Sequence, residues 1–365
     1  MINNQEFGYD PEFMLAFVRE LEEKRIERGD QLRFELEEEK RYIRKKQLYA
    51  LLWLARRIEV KPEKIIELFL AIQEKKKIHN VYFKNKSGGG KRKIIAPIKE
   101  LKYLQKRIST EILKRYSRGS ESCSFGFIGG STAQALQPHL ESGCLLMFDI
   151  RDAFPSVKHR HILDLFRGLG FSWYVASFLA DVATYEGCLA QGSPMSPRIF
   201  ELICANYIDR PLEKIARKNE GIYTRYADNI FFSVLGDGFD ERLKREIFRN
   251  ICPPRSSNLK SPYCPKFQTH EFRVKKLAGN AIHALGLVIH DENVHNKREF
   301  KRRFRKAIHH AKWCLKNNYD LLPEAWGKLR GLFSYAQKDT LPAKLRSDYE
   351  LLKDEILNLG IDLTI

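Results

Sequence analysis

Two aspartates are set where a carboxylate could do chemistry. Asp228 sits in the tetrad Tyr226-Ala227-Asp228-Asn229, a sharp break between Tyr223-Thr224-Arg225 and the apolar run Ile230-Phe231-Phe232-Ser233. That pattern predicts a β-hairpin with an acid at its tip. Asp149 closes a second apolar run, Leu145-Leu146-Met147-Phe148. Acids at the ends of two buried strands can hold a pair of hard divalent cations, and such a pair drives in-line phosphoryl transfer to a growing nucleic-acid strand. The tetrad by itself also fits an ordinary turn aspartate.

The chain around these acids has 365 residues, enough for two or three subdomains. It carries 64 Lys and Arg against 46 Asp and Glu, a formal charge of +18, which points to phosphate-rich partners. No apolar run reaches the length of a membrane span, and Met1-Ile2-Asn3-Asn4-Gln5-Glu6 lacks a signal-peptide pattern. The expectation is a cytoplasmic protein with no membrane partner. The seven cysteines show no C-x-x-C spacing, so neither a zinc site nor a disulfide framework is expected, and the thiols read as reduced and mostly buried.

Residues 12–60 read as helical, a charged stretch followed by an amphipathic helix through Leu48–Leu54 that packs on the rest or binds a partner. Val81–Lys84 and Lys93–Pro97 are β-like runs joined by Ser87-Gly88-Gly89-Gly90, a flexible hairpin with Lys84, Lys86, Lys91, Arg92 and Lys93 about its tip. It is no P-loop, since no G-K-[ST] follows the glycines. Leu101–Leu113 resumes a helical period. A helix is expected to start near Val157, another at Pro197 after the turn-rich Gln191–Pro197, and a third over 240–250, followed by a loop over Cys252–Pro265. Gly286–Ile289 is a short strand. From Asn296 the charge changes: residues 297–306 hold seven basic side chains against Glu299, while Phe300, Phe304, Ile308 and Trp313 recur at helical spacing. One face should bury and the other should form a basic rail for a nucleic-acid backbone. Helices near 324–337 and 343–357 complete a C-terminal bundle.

Four ordered blocks carry a resemblance. They are Arg92-Lys93-Ile94-Ile95-Ala96-Pro97, Phe148-Asp149-Ile150-Arg151-Asp152-Ala153-Phe154-Pro155, Gln191-Gly192-Ser193-Pro194-Met195-Ser196-Pro197 and Tyr223-Thr224-Arg225-Tyr226-Ala227-Asp228. The chain resembles the prokaryotic reverse transcriptases, most closely the retron type, over roughly residues 75–320. The resemblance implies an α+β right-hand polymerase: fingers, antiparallel palm and helical thumb. On that plan residues 1–74 form an N-terminal helical extension, 75–145 the fingers, 146–295 the palm with inserted fingers helices, and 296–365 the thumb. Asp149 and Asp228, with the backbone carbonyl of Ile150, would hold two Mg2+ ions, with Mn2+ as a substitute, and Asn229 completes the catalytic set. Arg92, Lys86, Asp152, Phe154, Gln191 and Gly192 would bind the deoxynucleotide triphosphate, Phe154 as the aromatic gate against a ribose 2′-hydroxyl. Lys297, Arg298, Lys301, Arg302 and Arg305 would track the template–product duplex. Implied partners are a structured non-coding RNA as template and primer, the DNA product, and a defence effector protein.

The chain departs from the family pattern in three places. A second aspartate usually follows Asp228, but here Asn229 stands and one negative charge is lost, so weaker metal binding or a preference for manganese is expected. The Asn-Ala-x-x-His segment is reduced to Ala135-Leu136-Gln137-Pro138-His139, and Val-Thr-Gly appears as Ala284-Leu285-Gly286. Two other readings stay open: a non-retron bacterial defence reverse transcriptase, and a catalytically silent RNA-binding scaffold.

Overall fold

A computed structural model of the chain describes residues 38–85, 89–117, 123–127, 129–236, 238–251, 273–276, 281–290, 293–336 and 340–359, with backbone only for 38–44, 251 and 273–276. The expected helix before residue 38, the tip of the glycine hairpin with Lys86, and the loop over Cys252–Pro265 lie outside the described residues.

In chain order the elements are α1 (Glu38–Arg57), α2 (Pro62–Gln73), β1 (His79–Asn85), β2 (Lys91–Pro97), α3 (Lys99–Ile108), α4 (Thr132–Leu136), β3 (Cys144–Asp149), the single turn α5 (Ala153–Ser156), α6 (His159–Gly168), α7 (Trp173–Ala183), β4 (Thr184–Tyr185) and β5 (Cys188–Leu189). Then come α8 (Ser196–Cys204), α9 (Arg210–Lys218), β6 (Gly221–Tyr226), β7 (Asn229–Val234), α10 (Glu241–Ile251), β8 (Arg273–Lys276), β9 (Ile282–Ala284), β10 (Leu287–His290), β11 (Asn293–Asn296), α11 (Arg298–Asn317), α12 (Leu322–Ala336) and α13 (Ala343–Asn358). The chain divides into two compact units, residues 1–113 with 162–195, and residues 114–161 with 196–365.

The first unit is built on α7. Ser172 caps its N-terminus by accepting from the Val175 N–H, and seven of its eleven residues are buried in the core of the unit. Trp53 of α1 meets Phe171 edge-on at 6.1 Å, Phe69 of α2 lies 6.2 Å from Phe178, and the buried Gln105 amide donates to the Val182 carbonyl. The β1–β2 hairpin is antiparallel, with Arg92 opposite Lys84. Helix α3 continues as a π-turn over Ser109–Leu113 rather than as one regular helix.

The second unit carries a four-stranded, wholly antiparallel sheet in the order β6-β7-β3-β8. On one face Leu145, Met147 and Phe231 pack with Leu136, Ile282, Leu287 and Ile289. On the other, Phe148 lies 6.0 Å from Phe248 of α10. The helix expected near Val157 begins at His159, because Pro155 sits in its own single turn, α5. Helices α11–α13 share a separate core in which Tyr349 stacks on Phe333 at 3.7 Å and on Trp326 at 5.3 Å. Phe304 and Ile308 are buried as expected, but Trp313 is 47% exposed and Ala311, Cys314 and Leu315 are buried in its stead. Ala311 and Leu315 continue the i, i+3, i+4 seam of Phe304 and Ile308, whereas Trp313, five residues after Ile308, falls on another face. Among the described cysteines four are buried and Cys188 is half-buried, all as free thiols. No helix among the described residues is long and apolar enough to cross a membrane.

Candidate active site

Strand register brings the two acids together. In the β6–β7 hairpin Tyr226 is opposite Asn229, which leaves Ala227 and Asp228 as the two turn residues. In the β3–β7 pair Asp149 is opposite Asn229. One residue beyond β3, the Ile150 N–H donates to the Asp228 carbonyl at 3.0 Å. Both carboxylates therefore stand at one end of the sheet, half-buried. The Asn229 amide donates to Asp228 Oδ1 at 3.1 Å, a bond an ionised aspartate could not make. Ala227 adopts φ +56°, a left-handed conformation that costs a non-glycine residue roughly 1–2 kcal/mol. Gly126 makes room for that turn: a Cβ on it would lie 2.4 Å from the Ala227 nitrogen.

Beneath the turn lies a buried charged cluster. The segment Cys123–Phe125 runs beside β6, with the Arg225 N–H donating to the Cys123 carbonyl and the Phe125 N–H to the Arg225 carbonyl. The Arg225 side chain is fully buried. Its Nε and Nη2 donate to Asp209 at 2.8 and 2.7 Å, and its Nη2 and Nη1 donate to Glu201 at 2.8 and 3.0 Å. Tyr223 donates to Asp209 and Ser124 to Glu201, each at 2.6 Å. Burial pushes the Tyr223 phenol and the Cys204 thiol well up from their usual values, so both stay neutral.

On the opposite face His139 is buried between two hydroxyls. Thr224 donates to the Ala135 carbonyl at 2.6 Å, so His139 Nε2–H donates to Thr224 Oγ1 at 2.8 Å, and Nδ1 accepts from Ser233 at 2.7 Å. Burial holds the ring neutral, with its pKa lowered to about 3. The histidine of the reduced Asn-Ala-x-x-His segment thus ties α4 to the back of the hairpin.

The other expected residues fall into groups. In the second unit Phe154 is half-buried between Phe127 at 5.8 Å and Phe200 at 5.5 Å, with part of its ring open to solvent. Asp152 is exposed at φ +48° and lies 3.7 Å from Arg151 Nε. In the first unit the β1–β2 hairpin and the Gln191-Gly192 block come together: the Ile95 N–H donates to the Gln191 carbonyl at 2.7 Å, and a Cβ on Gly192 would lie 2.7 Å from the Ile95 oxygen. Arg92 is exposed on β2. Arg298, Arg302 and Arg305 project into solvent from α11, while Lys297, at its N-cap, and Lys301 are half-buried. Glu201, Asp209, Gly126 and the role of His139 were not anticipated from sequence.

The donor set at the sheet end suits a hard cation. It consists of carboxylate and carbonyl oxygens, and among the described residues no group of three or more His, Cys, Asp or Glu forms a closed cage. Two half-buried carboxylates suit magnesium, which keeps water and substrate phosphates as its remaining ligands.

The reverse transcriptase (RNA-dependent DNA polymerase) family matches residues 84–245. The retron Ec86 reverse transcriptase of Escherichia coli is 30% identical over 245 residues, covering 66% of this chain and 72% of that protein. The retron Mx65 reverse transcriptase of Myxococcus xanthus is 32% identical over 167 residues, covering 40% of this chain and 38% of that protein. Among solved structures, an apo telomerase from Candida tropicalis aligns with a TM-score of 0.48 at 11% identity, covering 78% of this chain and 58% of that chain. The chain belongs to the reverse transcriptases of the retron type, α+β right-hand polymerases that make DNA on an RNA template.

Proposed function

We propose that this polymerase copies part of its own structured non-coding RNA into DNA, beginning at a 2′-hydroxyl of that RNA and leaving a branched RNA–DNA product. Asp149 and Asp228, with the Ile150 carbonyl, hold two Mg2+ ions; when bound, these supply charge neutralisation and an activated attacking hydroxyl. The observation that carries this reading is the register that sets Asp149 opposite Asn229 and ties Ile150 to Asp228. Asn229 fixes the Asp228 carboxylate through its amide. Arg92 and Lys86 grip the triphosphate, a guanidinium by paired N–H donors and an ammonium as a point charge. Asp152 and the Gln191-Gly192 backbone line the nucleotide, and Phe154 blocks a ribose 2′-hydroxyl. Lys297, Arg298, Lys301, Arg302 and Arg305 follow the duplex backbone. The reading extends to a cytoplasmic role in phage defence beside an effector protein, where template and deoxynucleotides are at hand.

The test is to express the chain with its native flanking DNA, purify it, and digest the bound nucleic acid separately with RNase and DNase. A discrete species shortened by each enzyme is expected. RNA alone, with no DNA formed on adding deoxynucleotides and Mg2+ or Mn2+, would overturn the proposal, and DNA without linked RNA would overturn its branched-product part.

A further inference from the structure

We propose that Arg225 is a positioning residue for the metal-binding turn: a buried guanidinium that clamps the Ala227 carbonyl and so fixes where Asp228 stands. This rests on the reading of Asp149 and Asp228 as metal carboxylates. The clamp is a matter of donors. A guanidinium has five N–H groups. Four are spent as two forks on the carboxylates of Asp209 and Glu201, and the fifth, on Nη1, reaches the Ala227 oxygen at 2.8 Å.

The forks come from elements outside the hairpin. Glu201 lies in α8 and Asp209 closes the π-turn that follows it, and both are buried. Ser124 and Tyr223 also donate to those carboxylates, Tyr223 to Asp209 Oδ1 and Ser124 to Glu201 Oε2. The guanidinium is thus locked before it meets the turn.

The turn needs holding. Ala227 is an alanine at φ +56°, where glycine would be the unstrained choice. Its carbonyl is taken by Arg225, and the next carbonyl, that of Asp228, is taken by the Ile150 N–H. With both carbonyls fixed, the backbone that carries the Asp228 carboxylate is held at the sheet end where Asp149 lies. Lysine could not replace Arg225, since three donors on one point charge cannot fill two forks and the carbonyl.

The experiment uses the full chain and Mn2+ as the probe, read by the electron paramagnetic resonance of free Mn2+ without nucleotide, beside melting temperature and primer extension. Arg225→Lys should weaken Mn2+ binding about tenfold and lower kcat on the order of 10- to 100-fold, with KM for deoxynucleotide little changed. Ile65→Ala, in α2 of the first unit, should lower the melting temperature without moving either quantity. Folded Arg225→Lys with Mn2+ affinity and kcat within about twofold of the parent overturns the clamp. Should Arg225→Lys not fold, Glu201→Gln carries the test, because its amide turns a donor toward the guanidinium; a several-fold loss of Mn2+ affinity is expected, and no loss overturns the clamp. Asp228→Asn separates the two levels. If it leaves Mn2+ binding and extension intact, the metal assignment falls and the clamp with it. If it abolishes both while Arg225→Lys changes neither, only the clamp falls.

Discussion

Replacing Asn229 by aspartate restores the carboxylate the family usually carries, and its consequences can be worked from one contact. The Asn229 amide nitrogen lies 3.1 Å from Asp228 Oδ1. In Asn229→Asp that hydrogen bond is lost and two carboxylates face each other. If the new carboxylate backs off to about 4 Å, the repulsion at a surface-like dielectric is roughly 4 kcal/mol. Both residues are half-exposed, and solvent and salt reduce this to about 1–2 kcal/mol. The metal-free variant should therefore be less stable than the parent by about that amount. A divalent cation relieves the repulsion and gains a ligand charge, so the same 1–2 kcal/mol returns as about tenfold tighter metal binding. Two measurements check this: thermal melts with and without Mg2+, and primer extension against Mg2+ concentration. The variant should melt lower without metal, gain more from Mg2+, and reach half-maximal extension at about one-tenth the concentration. An unchanged Mg2+ midpoint with an unchanged metal-free melt would refute the reasoning.

Gly126→Ala puts a Cβ 2.4 Å from the Ala227 nitrogen, so it should cost about 1–3 kcal/mol in chemical denaturation and lower extension on the order of 100-fold through a displaced turn. Phe154→Val should open the space beside Phe127 and Phe200 and raise incorporation of ribonucleotides relative to deoxynucleotides, measured by single-nucleotide extension; unchanged discrimination would remove Phe154 as the gate. His139 and His161 have folded pKa values lowered to about 3 and about 4 by burial. The unfolded chain takes up those protons first, so their stability contribution is full above about pH 6.5 and is lost as pH falls toward the folded values. The urea midpoint should drop between pH 7 and 5, and His139→Gln should make that slope shallower.

Much of the fold was legible because its strands announce themselves. The apolar run ending at Asp149 and the break at Ala227-Asp228 mapped onto β3 and the β6–β7 turn. The charge run after Asn296 mapped onto one helix with a buried seam through Phe304 and Ile308. What was hidden depended on long-range partners. Arg225 follows Thr224 in β6 and reads as an ordinary polar position, yet it is fully buried because two distant carboxylates converge on it. Glu201 stands in an apolar helix sequence with no local sign that it faces a guanidinium. Gly126 shows nothing in sequence of the alanine pressed against it. The positive φ of Ala227 was equally unreadable, since alanine is not the residue such a turn selects. Strained and buried polar positions are where local preference gives way to the site.

The most direct test of the assigned chemistry is RNA-templated primer extension with labelled deoxynucleotides by the parent chain and by Asp149→Asn and Asp228→Asn, with folding checked by melting temperature. The parent should yield a product that resists RNase and is destroyed by DNase, and both folded variants should lose it by at least about a thousandfold. No DNA from the parent with either Mg2+ or Mn2+, or undiminished product from either variant, would contradict a polymerase site built on these two aspartates.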